Sequence, residues 1–204
     1  MKMHIALAMC AASPALAQFS YNESTQGDLS TDPNTPTVLA FGLGSNIVTG
    51  DVFNSNAVNF DFTSSAGDRD FWSFTVGAGQ TLDRIELLAY DPANIGFGAI
   101  IEGGVGVIPG GATNSQLAAG ILINADDITD ADLLDEFANG AVTQNSLTAA
   151  ELGPGTYTFI IQQTTSLAGL GGVPQAYSFN FVLVPSPGAA ALLGVVGLAV
   201  RRRR

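Results

Sequence analysis

The chain has 204 residues, of which 47% are hydrophobic and 12% charged, so the composition fits one medium-sized domain with appendages and excludes two large domains. Seven Lys and Arg residues oppose eighteen Asp and Glu residues, and the formal net charge is −11. Between Gln18 and Val184 the only cations are Arg69 and Arg84. This acidic body excludes nucleic acids and anionic membranes as partners.

Residues 1–17 have the pattern of a secretory signal peptide. A basic start at Lys2 is followed by the apolar stretch Ile5–Ala12, a break at Pro14 and the small residues Ala15 and Ala17 before Gln18. We therefore predict delivery to the secretion machinery and cleavage after Ala17. The alternative is a buried N-terminal helix.

The predicted mature body lacks the side chains that most catalytic sites need. His4 and Cys10 lie within residues 1–17, so residues 18–184 contain no His, Cys or Lys. This inventory excludes Ser-His-Asp and Cys-His nucleophiles, Schiff-base lysines and zinc sites built on His or Cys. A glycoside hydrolase with two carboxylates is the remaining enzymatic alternative. Because no acid lies in an obvious aromatic groove, we predict a protein that is not an enzyme.

An apolar residue recurs at every second position from Thr37 onward, which predicts β-strands with one wet face each. Such strands form antiparallel sheets that cover one another's apolar faces. The sequence therefore predicts an all-β protein whose domain, residues 18–184, is an antiparallel β-sandwich of jelly-roll type. The predicted strands centre on Phe60–Phe62, Trp72–Val76, Ile85–Ala89, Tyr157–Ile161 and Tyr177–Leu183.

Two glycine-containing segments punctuate the strands. Gly77–Gln80 separates the Trp72 and Ile85 strands by the length of a hairpin turn, which predicts that these strands pair. Gly96–Gly111 is glycine-rich and apolar, and this composition is compatible with closely packed backbone or with a loose loop.

One short helix is predicted in a connection between strands. Thr129 or Asp130 can cap its start, and Gly140 stands where the helix would end. Leu133, Leu134 and Phe137 form its apolar stripe.

The region Gly27–Tyr90 resembles the bacterial pre-peptidase C-terminal module, a small secreted β-sandwich. The residues that carry the resemblance are Gly27–Ser30, Asp68–Val76 and Ala78–Leu82. The resemblance implies a binding or solubilising module that accompanies secreted enzymes and is not itself a catalyst.

Calcium is the ion that the acidic body favours, because Ca²⁺ takes oxygen ligands and needs neither nitrogen nor sulfur. Asp68 and Asp70 precede a predicted strand, where Asp61 or Asp28 can join them. A second candidate cluster lies upstream of the predicted helix. It comprises Asp126, Asp127 and Asp130, with Asp132 and Asp135 nearby. The alternative for both clusters is solvated surface acids, with an Arg69 ion pair at the first.

Trp72 is the one tryptophan and therefore the first candidate for a sugar-stacking platform. Its alternation with Phe74 and Val76 instead predicts that it points into the core. Phe71, Tyr90 and Tyr21 are weaker candidates for an exposed platform.

Residues 185–204 form the second predicted appendage. Pro185, Ser186 and Pro187 precede the apolar segment Ala189–Val200, which ends in the cations Arg201, Arg202, Arg203 and Arg204. This terminus resembles the PEP-CTERM sorting signal, although Ser186 stands where that signal usually has Glu. The resemblance implies transient insertion of a transmembrane helix, cleavage near the Pro-Ser-Pro element by an exosortase-type peptidase, and a secreted or cell-surface product.

Together these patterns predict a non-catalytic secreted or cell-surface protein, a component of an exopolysaccharide or biofilm matrix that contacts extracellular polysaccharide. The alternatives are a carbohydrate-binding module and a calcium-dependent adhesive module.

Overall fold

The computed structural model describes residues 18–54, 67–91, 95–103, 117–129, 132–141, 145–165 and 174–188. Within these ranges the protein is all-β, with two short α-helices and one 3-10 helix. The predicted strand around Phe60 and Phe62 lies outside them. The strands are β1 (Phe19–Asn22), β2 (Thr37–Val38), β3 (Gly44–Asn54), β4 (Gly67–Val76), β5 (Gln80–Tyr90), β6 (Ile95–Glu102), β7 (Ala119–Ile123), β8 (Gly155–Thr165) and β9 (Gln175–Pro185). The helices are α1 (Glu23–Gln26), α2 (Leu133–Asn139) and the 3-10 helix Ala125–Thr129.

The strands form one curled sheet in the order β5-β9-β3-β4-β8-β6-β7. The first half-sheet is β5, β9 and β3 with β1 attached, and the second is β4, β8, β6 and β7 with β2 attached. Between β3 and β4 the pairing is short: Phe53 opposes Asp68, and Asn54 opposes Gly67. The pairings along the main path are antiparallel as predicted, whereas β1 and β2 attach in parallel.

Side chains from both half-sheets share one core. The Phe181 ring on β9 lies edge-on to Trp72 on β4, with centroids 5.9 Å apart, and to Phe159 on β8 at 5.3 Å. Phe179 lies 5.3 Å from Phe159. All four side chains are fully buried, so the predicted inward position of Trp72 is confirmed. Burial of these large rings stabilises the fold, and their tilted geometries add to it.

The prediction of one wet face per strand is wrong for the second half-sheet. Phe71 on β4, Ile160 on β8 and Phe97 on β6 alternate with the core-facing residues, yet all are buried. They form a second apolar cluster on the opposite face, together with Ala99, Ile101 and Leu117. Because strand alternation shows only that the two faces differ, a second covered face was not visible in the period-two pattern.

The predicted hairpin between the Trp72 and Ile85 strands is also wrong. The turn forms, with the Gln80 N–H donating to the Gly77 carbonyl at 3.0 Å and Gly79 in the left-handed region at φ 76°. The strands nevertheless separate, because β4 pairs with β8 and β5 pairs with β9. The turn therefore carries the chain from one half-sheet to the other.

Helix α2 is confirmed as part of the connection between β7 and β8, with Leu133, Leu134 and Phe137 buried. Its cap is Asp132 and not Thr129 or Asp130, because the Asp132 carboxylate accepts the Leu134 N–H at 2.9 Å. Gly140 ends the helix with φ −114°, outside the left-handed conformation.

The glycines of β6 show closely packed backbone. A Cβ at Gly98 would lie 2.5 Å from Ile123 Cδ1, and one at Gly96 would overlap the Tyr90 hydroxyl. Of the two alternatives for the glycine-rich segment, the part that lies in β6, Gly96–Glu102, is therefore strand and closely packed.

The N-terminal strap, residues Phe19–Val38, fills the seam where β3 and β4 diverge. β1 pairs with Asn46–Thr49 along the edge of β3 that β9 does not occupy. On the other side of the seam β2 pairs with Trp72 and Ser73 of β4, and the Ser30 carbonyl accepts the Phe71 N–H at 2.9 Å. The strap thus satisfies backbone groups on two edges that face each other.

Candidate functional site

Three acidic side chains converge at the mouth of the seam. One carboxylate oxygen from each of Glu23, Asp28 and Asp70 lies within 4.8 Å of the other two. Two ligand oxygens of one Ca²⁺ ion, each at 2.3–2.6 Å, are separated by up to about 5 Å, so a single ion fits this spacing. We call Glu23, Asp28 and Asp70 the carboxylate cluster.

Asp70 enters the cluster from the core face of β4. Successive side chains of a strand alternate, so Asp68 and Asp70 share the face of Trp72, and Arg69 lies on the other face with Phe71. Asp70 is fully buried, and its Oδ2 accepts the Tyr177 hydroxyl at 2.6 Å. The buried Asp70 carboxylate therefore forms the inner side of the cluster.

Glu23 and Asp28 enter from the strap. Glu23 begins α1, and its carboxylate accepts the Leu29 N–H at 2.8 Å and the Asp51 N–H of β3 at 2.9 Å. Glu23 is half-buried and Asp28 is exposed, so the cluster opens toward solvent on the strap side. Gly50 makes room for this approach, because a Cβ there would overlap the Glu23 carboxylate and lie 2.6 Å from the Tyr177 hydroxyl.

Burial and mutual repulsion raise the pKa values of the carboxyls here. Burial, with the Glu23 charge second, raises the pKa of Asp70 to about 9, although the Tyr177 hydrogen bond lowers it. Burial raises the pKa of Glu23 to about 7 against two backbone hydrogen bonds. Burial and the charges of Asp28 and Asp51 raise the pKa of the neighbouring Asp68 to about 6. The charges that shift these three pKa values all belong to other acids.

Two carboxylate oxygens at this site have no hydrogen-bond donor among the residues that the structure describes. They are Oδ1 of Asp70 and Oδ1 of Asp68, and both atoms are buried. A buried, unpaired carboxylate oxygen is costly unless a proton, a water or a cation meets it. A divalent cation at the cluster would meet the Asp70 oxygen and neutralise the repulsion among the acids at the same time.

The structure brings together part of one of the two predicted acid groups. Asp28, which the sequence offered as a partner, joins Asp70 in the carboxylate cluster, and Asp68 lies near the cluster without belonging to it. Asp61, the other offered partner, lies outside the described residues. Glu23 was missed, because nothing in the sequence shows that α1 reaches β4 across the seam. An acid next to an Asn that can cap a short helix was the one local signal.

The second predicted group lies elsewhere in the fold. Asp127 accepts the Asn124 N–H at 2.7 Å, and Asp126 is exposed in the same turn. Asp130 lies outside the described residues. Asp132 serves as the α2 cap and also accepts the Ile85 N–H at 3.1 Å. Local turn and helix hydrogen bonds therefore account for Asp127 and Asp132.

The aromatic residues considered as a sugar platform do not provide one. Trp72, Phe71 and Tyr90 are buried, so the suggestion of an exposed platform is wrong for Phe71 and Tyr90, while Tyr21 is half-buried and donates its hydroxyl to the Gly27 carbonyl.

A cavity of about 400 Å³ places two acids, Glu102 and Glu151, beside polar side chains and apolar ones that include Leu117 and Leu152. None of its described lining residues is aromatic. It therefore lacks the aromatic surface on which a sugar ring would stack.

The terminal appendages fall mostly outside the described residues. Ala15, Ala17, Arg201, Arg202, Arg203 and Arg204 are among the residues not described. Pro185 ends β9 opposite Gln80, the Ser186 N–H donates to the Gly79 carbonyl at 2.8 Å, and Pro185 and Pro187 are exposed. None of the described helices is long and apolar enough to span a membrane.

Comparison with known proteins gave no match to any family model, curated protein or solved structure.

Proposed function

We propose that the chain is a non-catalytic β-sandwich module, of the pre-peptidase C-terminal kind, that binds Ca²⁺ at the carboxylate cluster outside the cell. The observation that carries the proposal is the buried Asp70 carboxylate, which lies against two other acids and whose Oδ1 has no donor among the described residues. Helix caps and turns account for other acids of this chain, whereas no described hydrogen bond accounts for this oxygen.

Calcium fits the cluster better than a smaller ion. Ca²⁺ accepts six to eight oxygens in irregular geometry, and Mg²⁺ demands a near-ideal octahedron at 2.0–2.1 Å. The cluster supplies three carboxylates, with the unpaired oxygen of Asp68 nearby, and the exposed position of Asp28 leaves one side open to water. A partly hydrated site of this kind matches extracellular calcium modules, whose Kd values are about 0.1–1 mM.

Calorimetric titration and thermal melting test the calcium site. At free Ca²⁺ about 100 times the Kd, linkage gives about 2.7 kcal/mol of stabilisation, which corresponds to a Tm rise of roughly 5–10 °C for a domain of this size. We expect Mg²⁺ to give a much smaller rise.

A matched pair of variants locates the site. Asp28→Asn should abolish the Ca²⁺ response because it removes an exposed ligand, and Asp135→Asn should leave it intact because it removes an exposed acid on α2. No heat and no Tm rise in the wild-type chain would overturn the calcium site.

The predicted sorting signals at the two ends of the chain support the extracellular part of the proposal. The signal-like residues 1–17 and the PEP-CTERM-like residues 185–204 flank the β-domain, and β9 is complete at Pro185, so cleavage near Pro185–Pro187 would leave the last strand intact. The exposure of Pro185 and Pro187 suits access by an exosortase-type peptidase. Such a product would serve as a component of an exopolysaccharide matrix.

Intact-mass measurement of the secreted protein tests this processing. We expect a chain that begins at Gln18, ends near Pro185 and lacks the four terminal arginines. A secreted product that retains Arg201–Arg204 would refute the sorting part and leave the calcium site standing.

A further inference from the structure

The carboxylate cluster joins two parts of the fold that the backbone holds together only weakly. Glu23 and Asp28 belong to the strap, whereas Asp70 belongs to β4 in the second half-sheet. An ion bound among them would therefore bridge the strap and the sheet. Resting on the proposed calcium site, we infer that the bound ion is a latch that fastens the N-terminal strap into the seam between β3 and β4.

Few buried side chains hold the strap, although Phe19 and Tyr21 pack against the core from partly buried positions. β1 contributes four residues of pairing and β2 two, and no residue of either strand is fully buried. Within the strap only Leu29 and Pro36 are buried, and α1 buries none of its four side chains. Segments with few buried apolar contacts open at low free-energy cost, even when the rest of the domain is stable.

The rest of the molecule contrasts sharply with the strap. β9 pairs with β3 along nine residues and with β5 on its other side, and it carries the buried rings of Phe179 and Phe181. The strap can therefore open without loss of the core. Its opening would free the edges of β3 at Asn46–Thr49 and of β4 near Phe71–Ser73.

Electrostatic interactions among the three acids determine whether the strap favours the open or the closed position. In the closed strap one carboxylate oxygen from each of Glu23, Asp28 and Asp70 lies within 4.8 Å of the other two. When the carboxylates are ionised and no cation is bound, their mutual repulsion favours opening, because opening removes two acids from the third. With a cation the same three carboxylates become ligands, and because only the closed strap assembles them, ion binding favours closure by linkage.

The Glu23 side chain links the proposed ion site to the hydrogen bonds that hold the strap. Its carboxylate already accepts one N–H from the strap, at Leu29, and one from β3, at Asp51. An ion on the open side of the same carboxylate would fix the Glu23 rotamer and with it both hydrogen bonds. Closure of the strap and occupancy of the site are therefore coupled through one side chain.

Hydrogen exchange followed by mass spectrometry on the full chain tests the latch, with CaCl₂ in one arm and a calcium chelator in the other. At Ca²⁺ about 100 times the Kd, we expect exchange of the strap amides to slow by up to about 100-fold, while β9 changes little. Asp28→Asn should remove the slowing, and Asp135→Asn should retain it. Asp28 is exposed, so its variant is expected to fold even if Asp70→Asn does not.

The possible outcomes distinguish the latch proposal from the calcium-site proposal. Calorimetric Ca²⁺ binding with unchanged strap exchange would overturn the latch and keep the calcium site. Slowing that is equal in the strap and in β9 would also overturn the latch, because it would show global stabilisation. Absence of both binding and slowing would overturn the two proposals together.

Discussion

The two ends of the β-domain core are built on opposite principles. At one end the rings of Phe41, Phe74 and Phe181 pack with centroids 4.9–5.4 Å apart and need nothing from solvent. At the other end Asp70 and Tyr177 occupy equivalent inward positions, and the Asp70 carboxylate retains an unpaired oxygen. The apolar end is self-sufficient, whereas the stability of the acidic end depends on what the solution supplies, whether a proton or a cation.

The largest expected effect comes from the apolar end. Phe181→Ala removes a fully buried ring that contacts Phe41, Phe74, Trp72 and Phe159, and should cost about 3–5 kcal/mol. Because Phe181 belongs to the apolar end of the core and not to the carboxylate cluster, the loss of unfolding free energy should be equal with Ca²⁺ and with chelator in chemical denaturation. A loss that depends on Ca²⁺ would show that the two ends are coupled.

The pH dependence should come from the acidic end. The folded pKa values of Asp68, Glu23 and Asp70 are raised to about 6, 7 and 9, so the folded state binds more protons than the unfolded chain above about pH 4. The stabilisation is therefore complete at low pH and is lost as pH rises through these values. We expect the Tm of the metal-free protein to fall by on the order of 5–10 °C from pH 5 to pH 9.

Two controls sharpen this measurement. Saturating Ca²⁺ should flatten the fall, because the ion replaces the protons. Asp70→Asn should remove the part of the fall above about pH 7, because an amide does not titrate. A Tm that rises with pH in the metal-free protein would contradict the assigned environment of Asp70.

Gly50 tests the close approach of the strap to the sheet. Gly50→Ala places a methyl group against the Glu23 carboxylate and 2.6 Å from the Tyr177 hydroxyl, so either Glu23 swings out or β3 shifts. We expect a loss of about 1–3 kcal/mol and a weakened Ca²⁺ response in calorimetry. Gly153→Ala is the matched control, since a Cβ there meets no atom within 4 Å and should leave Ca²⁺ binding unchanged.

The smallest effect should come from the predicted second cluster. Asp132→Ala removes the α2 cap and the bond to the Ile85 N–H, and should cost about 0.5–2 kcal/mol in thermal or chemical unfolding. We expect the Ca²⁺ response to remain. Its disappearance would move the calcium site from the carboxylate cluster to the acids around α2.

Local sequence signals predicted much of the fold because they report single strands and helices. The alternation around Trp72 and Tyr177 placed both side chains inward, and the stripe of Leu133, Leu134 and Phe137 placed α2. The prediction of a hairpin at Gly77–Gln80 was wrong because a turn specifies a change of chain direction and not the pairing partner of the strand that follows. The prediction for Phe71 was wrong because the alternation along one strand does not show whether its second face is also buried.

The candidate site likewise contains residues that the sequence indicated and residues that it did not. Asp68 and Asp70 were singled out as acids before a predicted strand, with Asp28 as a possible partner, although both lie within β4. Glu23 was not predicted, and Gly50 had no visible reason to be glycine. Both depend on the parallel docking of β1 against β3, a contact between segments far apart in the chain.

The amino-acid sequence by itself determined an acidic body without His, Cys or Lys in residues 18–184, alternating strands, and a core that includes Trp72. Side-chain chemistry and the period of a strand act over a few residues, so they can be seen without the fold. Only the tertiary structure decided that β3 and β4 diverge, that the strap fills the seam between them, and that Glu23 meets Asp70 there. Those outcomes depend on which edges remain unpaired after the half-sheets form, and this is a property of the whole chain.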